Sequence, residues 1–145
     1  MVSVNTLCKN ILNVKSAVIE DCSFYSDADG VKHIRIRARP NKWHENDCPF
    51  CHKPCPVYDR HSSVPRTWRG LDAGGILVEV EYQTHRIICP EHGVYVADVP
   101  WAYPCSGFTK DFDLTAAWLA TYLPRSVVSE YMRIDWETVG RCVNR

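Results

Sequence analysis

The run Cys48-Pro-Phe-Cys51-His-Lys-Pro-Cys55, with its counterpart Cys89-Pro-Glu-His92, decides how the middle of this chain folds. Each run holds two potential metal ligands separated by two residues, a spacing at which one tight turn can aim both side chains at one ion. Two such turns supply the four ligands of a closed tetrahedral zinc site. We therefore predict one structural Zn²⁺ bound by Cys48, Cys51, Cys89 and His92.

The gap between the two ligand pairs is longer than in a simple zinc finger. It contains 37 residues, 52 through 88, which predicts a zinc-ribbon-like domain in which β-strands fill the space. Residues 48–104 are rich in Pro, Gly, Cys and His, a composition that builds a hydrophobic core poorly. Ligation of a metal adds folding free energy directly, so it explains how such a region stays folded.

Other ligand sets remain open from the sequence alone. Cys55 is the nearest substitute, and the spare histidines are His44, His52, His61 and His85. A Cys-Pro-Phe-Cys motif also occurs in glutaredoxin-like redox proteins, where the second cysteine lies in a helix. Here Pro54 and Pro56 follow closely and prevent such a helix. The remaining cysteines are expected to be small buried hydrophobic residues: Cys8, Cys22, Cys105 and Cys142.

Composition places the chain among ordinary globular proteins. It has 145 residues and a mass of 16.6 kDa, enough for one domain or two very small ones. Lys+Arg and Asp+Glu are both 17 and 46% of residues are hydrophobic, which excludes a disordered chain and a bulk-charge nucleic-acid coat. No apolar run approaches the roughly 20 residues of a membrane span, and no secretory signal is present, so we expect a cytosolic protein without a membrane partner.

The N-terminal region, residues 1–47, is predicted to be a short helix followed by a β hairpin. Two β-like runs, Val14 to Tyr25 and Val31 to Ala38, flank an Asp-rich turn. In the second run Ile34, Ile36 and Ala38 share one face and basic residues dominate the other. Acidic residues cluster elsewhere in the sequence, so zero net charge is compatible with a dipolar surface.

Residues 105–145 carry the pattern of three helices. Thr109 can cap the first, Pro124 separates the first from the second, and Asp135 can cap the third, Trp136 to Val143. Two short helices joined by a tight turn and braced by a longer one form the helix-turn-helix plan. In the third helix we expect Trp136, Val139 and Val143 to face the bundle. The predicted fold class is therefore α+β, with divisions at 1–47, 48–104 and 105–145.

Basic and amide side chains on and beside the third helix indicate a DNA-binding function. Arg and Asn read guanine and adenine edges in the major groove, and arginines elsewhere can hold phosphates. No catalytic set emerges, because the acids are scattered and no phosphate-binding glycine loop is present. The candidate DNA contacts are Arg35, Arg37, Arg39, Arg66, Arg69, Arg133, Thr138, Arg141, Asn144 and Arg145.

Several further motifs resemble the N-terminal region of ISL-three family insertion-sequence transposases. They are Arg66-Thr-Trp-Arg-Gly-Leu-Asp72, Arg86-Ile-Ile-Cys-Pro-Glu-His-Gly93, Val99-Pro-Trp-Ala102 and Ser106-Gly-Phe-Thr109, together with the first cysteine pair. The resemblance implies a zinc-binding domain and a helix-turn-helix that recognise the terminal inverted repeats of a transposon in double-stranded DNA. It also implies that Cys48, Cys51, Cys89 and His92 bind the zinc, and that 136–145 is the recognition-helix segment.

In that family a longer catalytic domain with a DDE acid triad follows, whereas this sequence ends at Arg145. We therefore expect a DNA-binding fragment or truncated form that cannot cut DNA by itself and takes no small-molecule substrate. We expect it to be associated with the nucleoid in a bacterial cytoplasm. A homodimer is one possible oligomeric state. The alternatives are a free-standing transcriptional repressor or a zinc-ribbon interaction module with an aromatic surface. That surface would comprise Trp68, Trp101, Tyr103, Trp118 and Trp136.

Overall fold

The computed structural model describes residues 1–60 and 64–145. Within these ranges it contains four helices and seven strands, in two sheets, which confirms the predicted α+β class. The elements in chain order are α1 (Val4–Leu12), β1 (Ala17–Ser26), β2 (Lys32–Pro40), β3 (Val57–Asp59), β4 (Arg66–Arg69), β5 (Leu77–Tyr82), β6 (Arg86–Cys89), β7 (Gly93–Val96), α2 (Lys110–Tyr122), α3 (Arg125–Met132) and α4 (Trp136–Val143). No described helix combines the length and the apolarity that crossing a membrane requires.

The larger sheet joins segments that are distant in sequence. Its strand order is β1-β2-β5-β4, with β1 and β2 forming the expected antiparallel hairpin. β5 runs parallel to β2, pairing Ile34 with Val78, and β4 is antiparallel to β5. Two strands that lie between the ligand pairs in sequence, β4 and β5, therefore belong to the same sheet as the N-terminal hairpin. The proposed division at residue 47 stays a prediction.

The core of this sheet is built by side chains that alternate along β2 and β5. Ile34 and Ile36 are buried as the alternation predicts, and Val78 and Val80 lie beside them on the parallel strand. Trp101 packs edge-on against Trp68 of β4, at 5.5 Å between ring centroids, and is fully buried. The segment that leads to the C-terminal helices is thus anchored in the core.

Basic and acidic residues alternate between neighbouring strands on the other face of this sheet. The parallel register places Arg35 opposite Glu79, and the Arg35 guanidinium lies 3.2 Å from Glu79 and 3.4 Å from Glu81. Arg39 similarly lies 3.3 Å from Glu20. Acidic residues that are distant in sequence therefore lie beside the basic residues of β2 on this face.

A histidine on this face bridges two carboxylates. His33 Nε2 lies 2.8 Å from Asp27 and Nδ1 lies 2.9 Å from Glu79. The hydrogen bond with Asp27 raises the pKa of His33 above its ordinary value, against the opposing effect of burial. A group whose pKa is raised in the folded state stabilises the protein below its unfolded pKa, and that stabilisation is lost as pH rises through the folded pKa.

We expect the substitution His33→Asn to lower the melting temperature more at about pH 5.5 than at about pH 8.5, since only the protonated ring pairs with both carboxylates. Differential scanning fluorimetry of the wild type and the variant at the two pH values measures the difference. Equal shifts at both values would mean that the charge of His33 does not contribute to stability.

The four cysteines outside the ligand motifs behave differently from one another. Cys8 on α1 and Cys22 on β1 form a disulfide pair, with Cys8 fully buried and Cys22 half-buried. Cys142 is buried in the helical bundle as expected. The expectation of a buried residue is wrong for Cys105, which is exposed at a positive φ of 63° in the loop before α2.

The three C-terminal helices begin at the residues that the sequence predicted. Thr109 accepts a hydrogen bond from the Phe112 N–H at 3.3 Å, and Asp135 accepts one from the Thr138 N–H at 2.7 Å. Between α3 and α4 the chain turns at Arg133, which adopts a left-handed φ of 57°. The shared core of the bundle consists of Phe112, Ala116, Val128, Met132, Val139 and Cys142.

Two residues of α4 do not face the bundle as expected. Trp136 is 56% exposed and Val143 is 42% exposed, because Val139 and Cys142 fill the space against α2 and α3. The large aromatic side chain at the start of α4 is therefore on the outer surface of the helix-turn-helix.

The helix-turn-helix is attached to the edge of the larger sheet through Arg69. The backbone N–H of Arg69 donates to Gly107, and its carbonyl accepts from the Thr109 N–H. The Arg69 guanidinium donates to the carbonyls of Met132 at 2.7 Å and Arg133 at 2.8 Å, which are the last carbonyls of α3 and its cap. The sheet thus holds the turn that orients α4.

Candidate metal centre and nucleic-acid interface

Four side chains from the two predicted motifs converge at one point. Cys48, Cys51, Cys89 and His92 place their ligand atoms within 4.8 Å of one another. Cys48 Sγ and Cys89 Sγ lie 3.6 and 3.5 Å from His92 Nδ1, and Cys51 Sγ lies 3.8 Å from Cys89 Sγ. This cluster could hold a metal ion.

These distances are the edges of a zinc-sized tetrahedron. With Zn–S near 2.3 Å and Zn–N near 2.0–2.1 Å, tetrahedral angles require about 3.6 Å between sulfur and nitrogen and about 3.8 Å between sulfurs. The three observed separations of 3.5, 3.6 and 3.8 Å match both values. Three of the six separations thus match a tetrahedral Zn²⁺ site, and all four ligand atoms lie within 4.8 Å of one another, so the cluster has the donor set and the size that such a site requires.

Two tight turns position the ligands. In the first, the His52 N–H donates to the carbonyl of Cys48 at 2.9 Å, and His52 takes a left-handed φ of 59° that reverses the chain. In the second, Cys89 pairs with Gly93 across the β6–β7 hairpin, where Gly93 has a φ of 89°. The first turn is not helical, which argues against the redox interpretation of the Cys-Pro-Phe-Cys motif.

Cys89 and Cys55 differ sharply in acidity although both are buried. For Cys89, burial disfavours the thiolate, but hydrogen bonds from His92 and from backbone N–H groups prevail and lower the pKa to about 6. For Cys55, burial dominates and raises the pKa to about 11. The pKa of Cys51 is also raised, so it is the position of the sulfur atoms, and not their acidity, that separates Cys55 from the four clustered residues.

The substitute ligands left open by the sequence have other contacts. Cys55 donates to the carbonyl of Lys53 at 3.3 Å and lies outside the cluster. His44 contacts Asp47, His52 contacts Asp98 and His85 contacts Asn46. His61 lies outside the described residues. None of the described alternative residues joins the cluster, which therefore consists of Cys48, Cys51, Cys89 and His92.

The outer face of α4 is the second candidate site. Thr138, Val139, Gly140 and Cys142 are buried, which leaves Trp136, Glu137, Arg141 and Asn144 exposed. Arg141 lies 3.6 Å from Glu137, one turn away on the same face. This is the arrangement of a recognition helix, in which one face packs on the preceding helix and the other is free to enter a DNA groove.

The predicted DNA contacts fall into two groups. Some are exposed on the surface, namely Arg37, Arg133, Arg141 and Asn144, of which Arg133 lies 3.8 Å from Asp72 and Arg141 lies 3.6 Å from Glu137. The others have internal partners or are buried. Arg66 donates to the carbonyl of Ser106 and Arg145 binds the buried Asp113 at 2.9 Å, while Thr138 is only 7% exposed. Arg69 and Arg35 have the partners described above, and Arg39 pairs with Glu20.

The sequence analysis missed one basic residue at this face. Arg125, the first residue of α3, places its guanidinium 5.3 Å from the ring centroid of Trp136 on α4. No local pattern indicates this contact, because it depends on how α3 and α4 pack. The exposed side of the helix-turn-helix therefore carries more positive charge than α4 alone supplies.

Comparison with known proteins agrees with this geometry. Residues 97–145 match the helix-turn-helix domain of transposase family ISL3. The resemblance inferred from the motifs is thereby confirmed, and the matched residues contain α2, α3 and α4.

Two curated relatives extend the similarity beyond this domain. They are the transposases for insertion sequence element IS1557 of Mycobacterium tuberculosis strains CDC 1551 / Oshkosh and ATCC 25618 / H37Rv. Each is 42% identical over 133 residues, which is 90% of this chain. The chain spans 30% of the length of these relatives. No solved structure matches the chain.

Proposed function

We propose that this chain is the zinc-stabilised DNA-recognition part of a transposase, binding double-stranded DNA at transposon terminal inverted repeats without cutting it. The observation that carries the proposal is the outward face of α4, presented by an ISL3-family domain that the larger sheet holds in place. Its place would be the nucleoid of a bacterial cytoplasm. A free-standing repressor would use the same DNA chemistry.

The metal has a structural role in this proposal. One Zn²⁺ bound by three cysteines and one histidine has no open position for water, so it supplies folding free energy and no hydrolytic chemistry. It would fix the first turn to the β6–β7 hairpin. That hairpin continues through residues 97–101 into the core around Trp101, and from there into the helix-turn-helix.

In the proposed complex, some side chains would contact DNA bases and others would contact phosphates. In the major groove, Arg141 and Asn144 have the side chains that read guanine and adenine edges. Arg133, at the turn before α4, and Arg37, exposed on β2, are suited to contact phosphates. Binding would then weaken with salt, by about 0.9 log units of affinity per log unit of salt for each phosphate contact.

In-vitro selection from a random duplex pool, followed by gel shifts of the selected site and a scrambled site at two salt concentrations, tests this function. We expect Arg141→Ala to reduce discrimination between the two sites by about 1–3 kcal/mol, and Arg37→Ala to weaken both sites alike. Equal affinity of the wild type for selected and scrambled DNA would contradict sequence-specific recognition. Product formation on terminal-repeat DNA with Mg²⁺ would contradict the absence of cleavage.

A second candidate is an interaction or dimerisation module, and it is favoured by an apolar row on α2. Leu114, Trp118 and Tyr122 recur every four residues on one face and are 56%, 62% and 70% exposed. The aromatic surface differs from the one expected, since Trp68 and Trp101 are buried. Sedimentation equilibrium with Trp118→Ser as the variant separates a dimer from a monomer.

A further inference from the structure

We infer that Arg125 is a base-reading residue of the DNA interface, with Trp136 and Gly140 as the residues that position its guanidinium to read a guanine edge. The inference deepens the proposed DNA-binding function and rests on it. Arg125 is on α3, outside the segment that sequence reasoning assigned to recognition, so the interface would be composed of two helices.

The position of the Arg125 guanidinium on α4 is defined by two contacts. Its Cζ lies 5.3 Å from the ring centroid of Trp136. A Cβ atom at Gly140 would lie 3.2 Å from Arg125 Nη1 and 3.5 Å from Cζ. Residues four apart lie on the same face of a helix, so the guanidinium crosses α4 over the row formed by Trp136 and Gly140.

That row borders the exposed face of α4. Trp136 and Asn144, at its two ends, are exposed, and Gly140 between them is buried against the Arg125 side chain, whereas Val139 and Cys142 are directed into the bundle. Recognition helices contact base edges mainly with their N-terminal residues, and Trp136 is the first residue of α4. The Arg125 guanidinium therefore lies against the N-terminal half of α4, the part that would lie closest to the bases.

Unlike several other arginines here, Arg125 has no acidic partner. Within residues 1–60 and 64–145, no carboxylate lies within ion-pair distance of its guanidinium, whereas Arg35, Arg69 and Arg145 are paired with acids. Its charge and its N–H donors therefore remain available to a ligand. A contact between a guanidinium and an aromatic ring leaves the in-plane N–H groups unused.

Guanine is the ligand that this arrangement suits best. Its O6 and N7 acceptors in the major groove bind a guanidinium in a bidentate manner, and this is the commonest base-specific contact of arginine. Holding the guanidinium on an aromatic ring before binding reduces the entropy lost on ordering a long side chain. Gly140 contributes by leaving space for the guanidinium, which would have to shift by a few tenths of an ångström to make room for a Cβ atom at this position.

Selection of DNA from a random pool by wild type, Arg125→Lys, Trp136→Leu and Trp136→Phe tests the inference. We expect the wild type to require guanine at one position of its site. Arg125→Lys keeps the charge but loses the bidentate donor pair, so discrimination at that position should fall about 5- to 150-fold, with other positions unchanged. Trp136→Leu should cause a smaller loss at the same position, and Trp136→Phe should restore most of it.

The outcomes separate this inference from the proposed function. If the wild type selects a site and Arg125→Lys still requires the same guanine, Arg125 does not read a base and only the inference fails. If Arg125→Ala weakens all sequences equally and reduces the salt dependence, Arg125 contacts a phosphate and the inference again fails. If the wild type selects no site, the proposed function fails first. Unchanged melting temperatures of the variants show that specificity, not folding, has changed.

Discussion

Replacing Cys89 by serine is expected to abolish stoichiometric zinc binding and to unfold the region around the two ligand turns. Structural zinc in small domains contributes about 10–16 kcal/mol of apparent binding free energy at neutral pH, and this is folding free energy where no site exists in the unfolded chain. The cluster around Cys89 is small, comprising Cys48, Cys51, Cys55, Ile87 and Ala97. Its hydrophobic burial cannot replace the contribution of the metal.

The measurement is elemental analysis of purified protein together with amide hydrogen exchange. We expect one zinc per chain in the wild type, none in Cys89→Ser, and loss of protection in β6 and β7. Cys55→Ser is the matched control, because Cys55 is also buried in this cluster but lies outside the ligand set. Two zinc ions per wild-type chain, or full zinc retention in Cys89→Ser, would contradict the assignment.

The cluster of four candidate metal ligands was predictable because the spacing within each pair is a local property. Two residues between ligands define a turn, and four soft or borderline ligands define a tetrahedral site. What the spacing could not provide is the position of the intervening strands. β5 pairs in parallel with β2 across more than 40 residues of chain. Such long-range pairing depends on the side chains that meet in the core and leaves no local pattern.

The helix-turn-helix shows the same division between local and tertiary information. Thr109 and Asp135 were identified correctly because a helix cap is determined within three residues of the helix start. The orientation of Trp136 was not predicted correctly. An amphipathic pattern over only eight residues is compatible with more than one packed face. The contact of Arg125 with Trp136 could not be predicted either, because it also depends on how α3 and α4 pack.

The candidate phosphate contacts stay predictions, and several of them have internal partners that charge patterning along a sequence does not reveal. Arg35 appeared to belong to a basic strand, but the parallel register brings Glu79 and Glu81 beside it. Arg69 was a candidate phosphate contact, and its guanidinium donates to the two carbonyls at the end of α3. We therefore expect a structural role, and its consequence for recognition can be tested.

Substituting Arg69 by methionine is expected to lower the free energy of unfolding by about 2–4 kcal/mol, since hydrogen bonds from a charged group contribute about 1.5–3 kcal/mol each. The variant loses the donors to Met132 and Arg133 and leaves Asp72, 3.6 Å away, with one cation fewer. Methionine retains much of the packing against Phe112, whose ring centroid lies 5.1 Å from the guanidinium. The effect therefore reports mainly on the lost hydrogen bonds.

Urea denaturation measures the stability change, and Arg37→Met is the matched control. Arg37 is exposed on β2, so its substitution should change stability by no more than about 0.5 kcal/mol. Because Arg69 holds the turn between α3 and α4, we also expect Arg69→Met to reduce discrimination between a selected and a scrambled DNA site. An Arg69→Met protein with wild-type stability and a uniform loss of affinity for all DNA would show instead that Arg69 contacts phosphates directly.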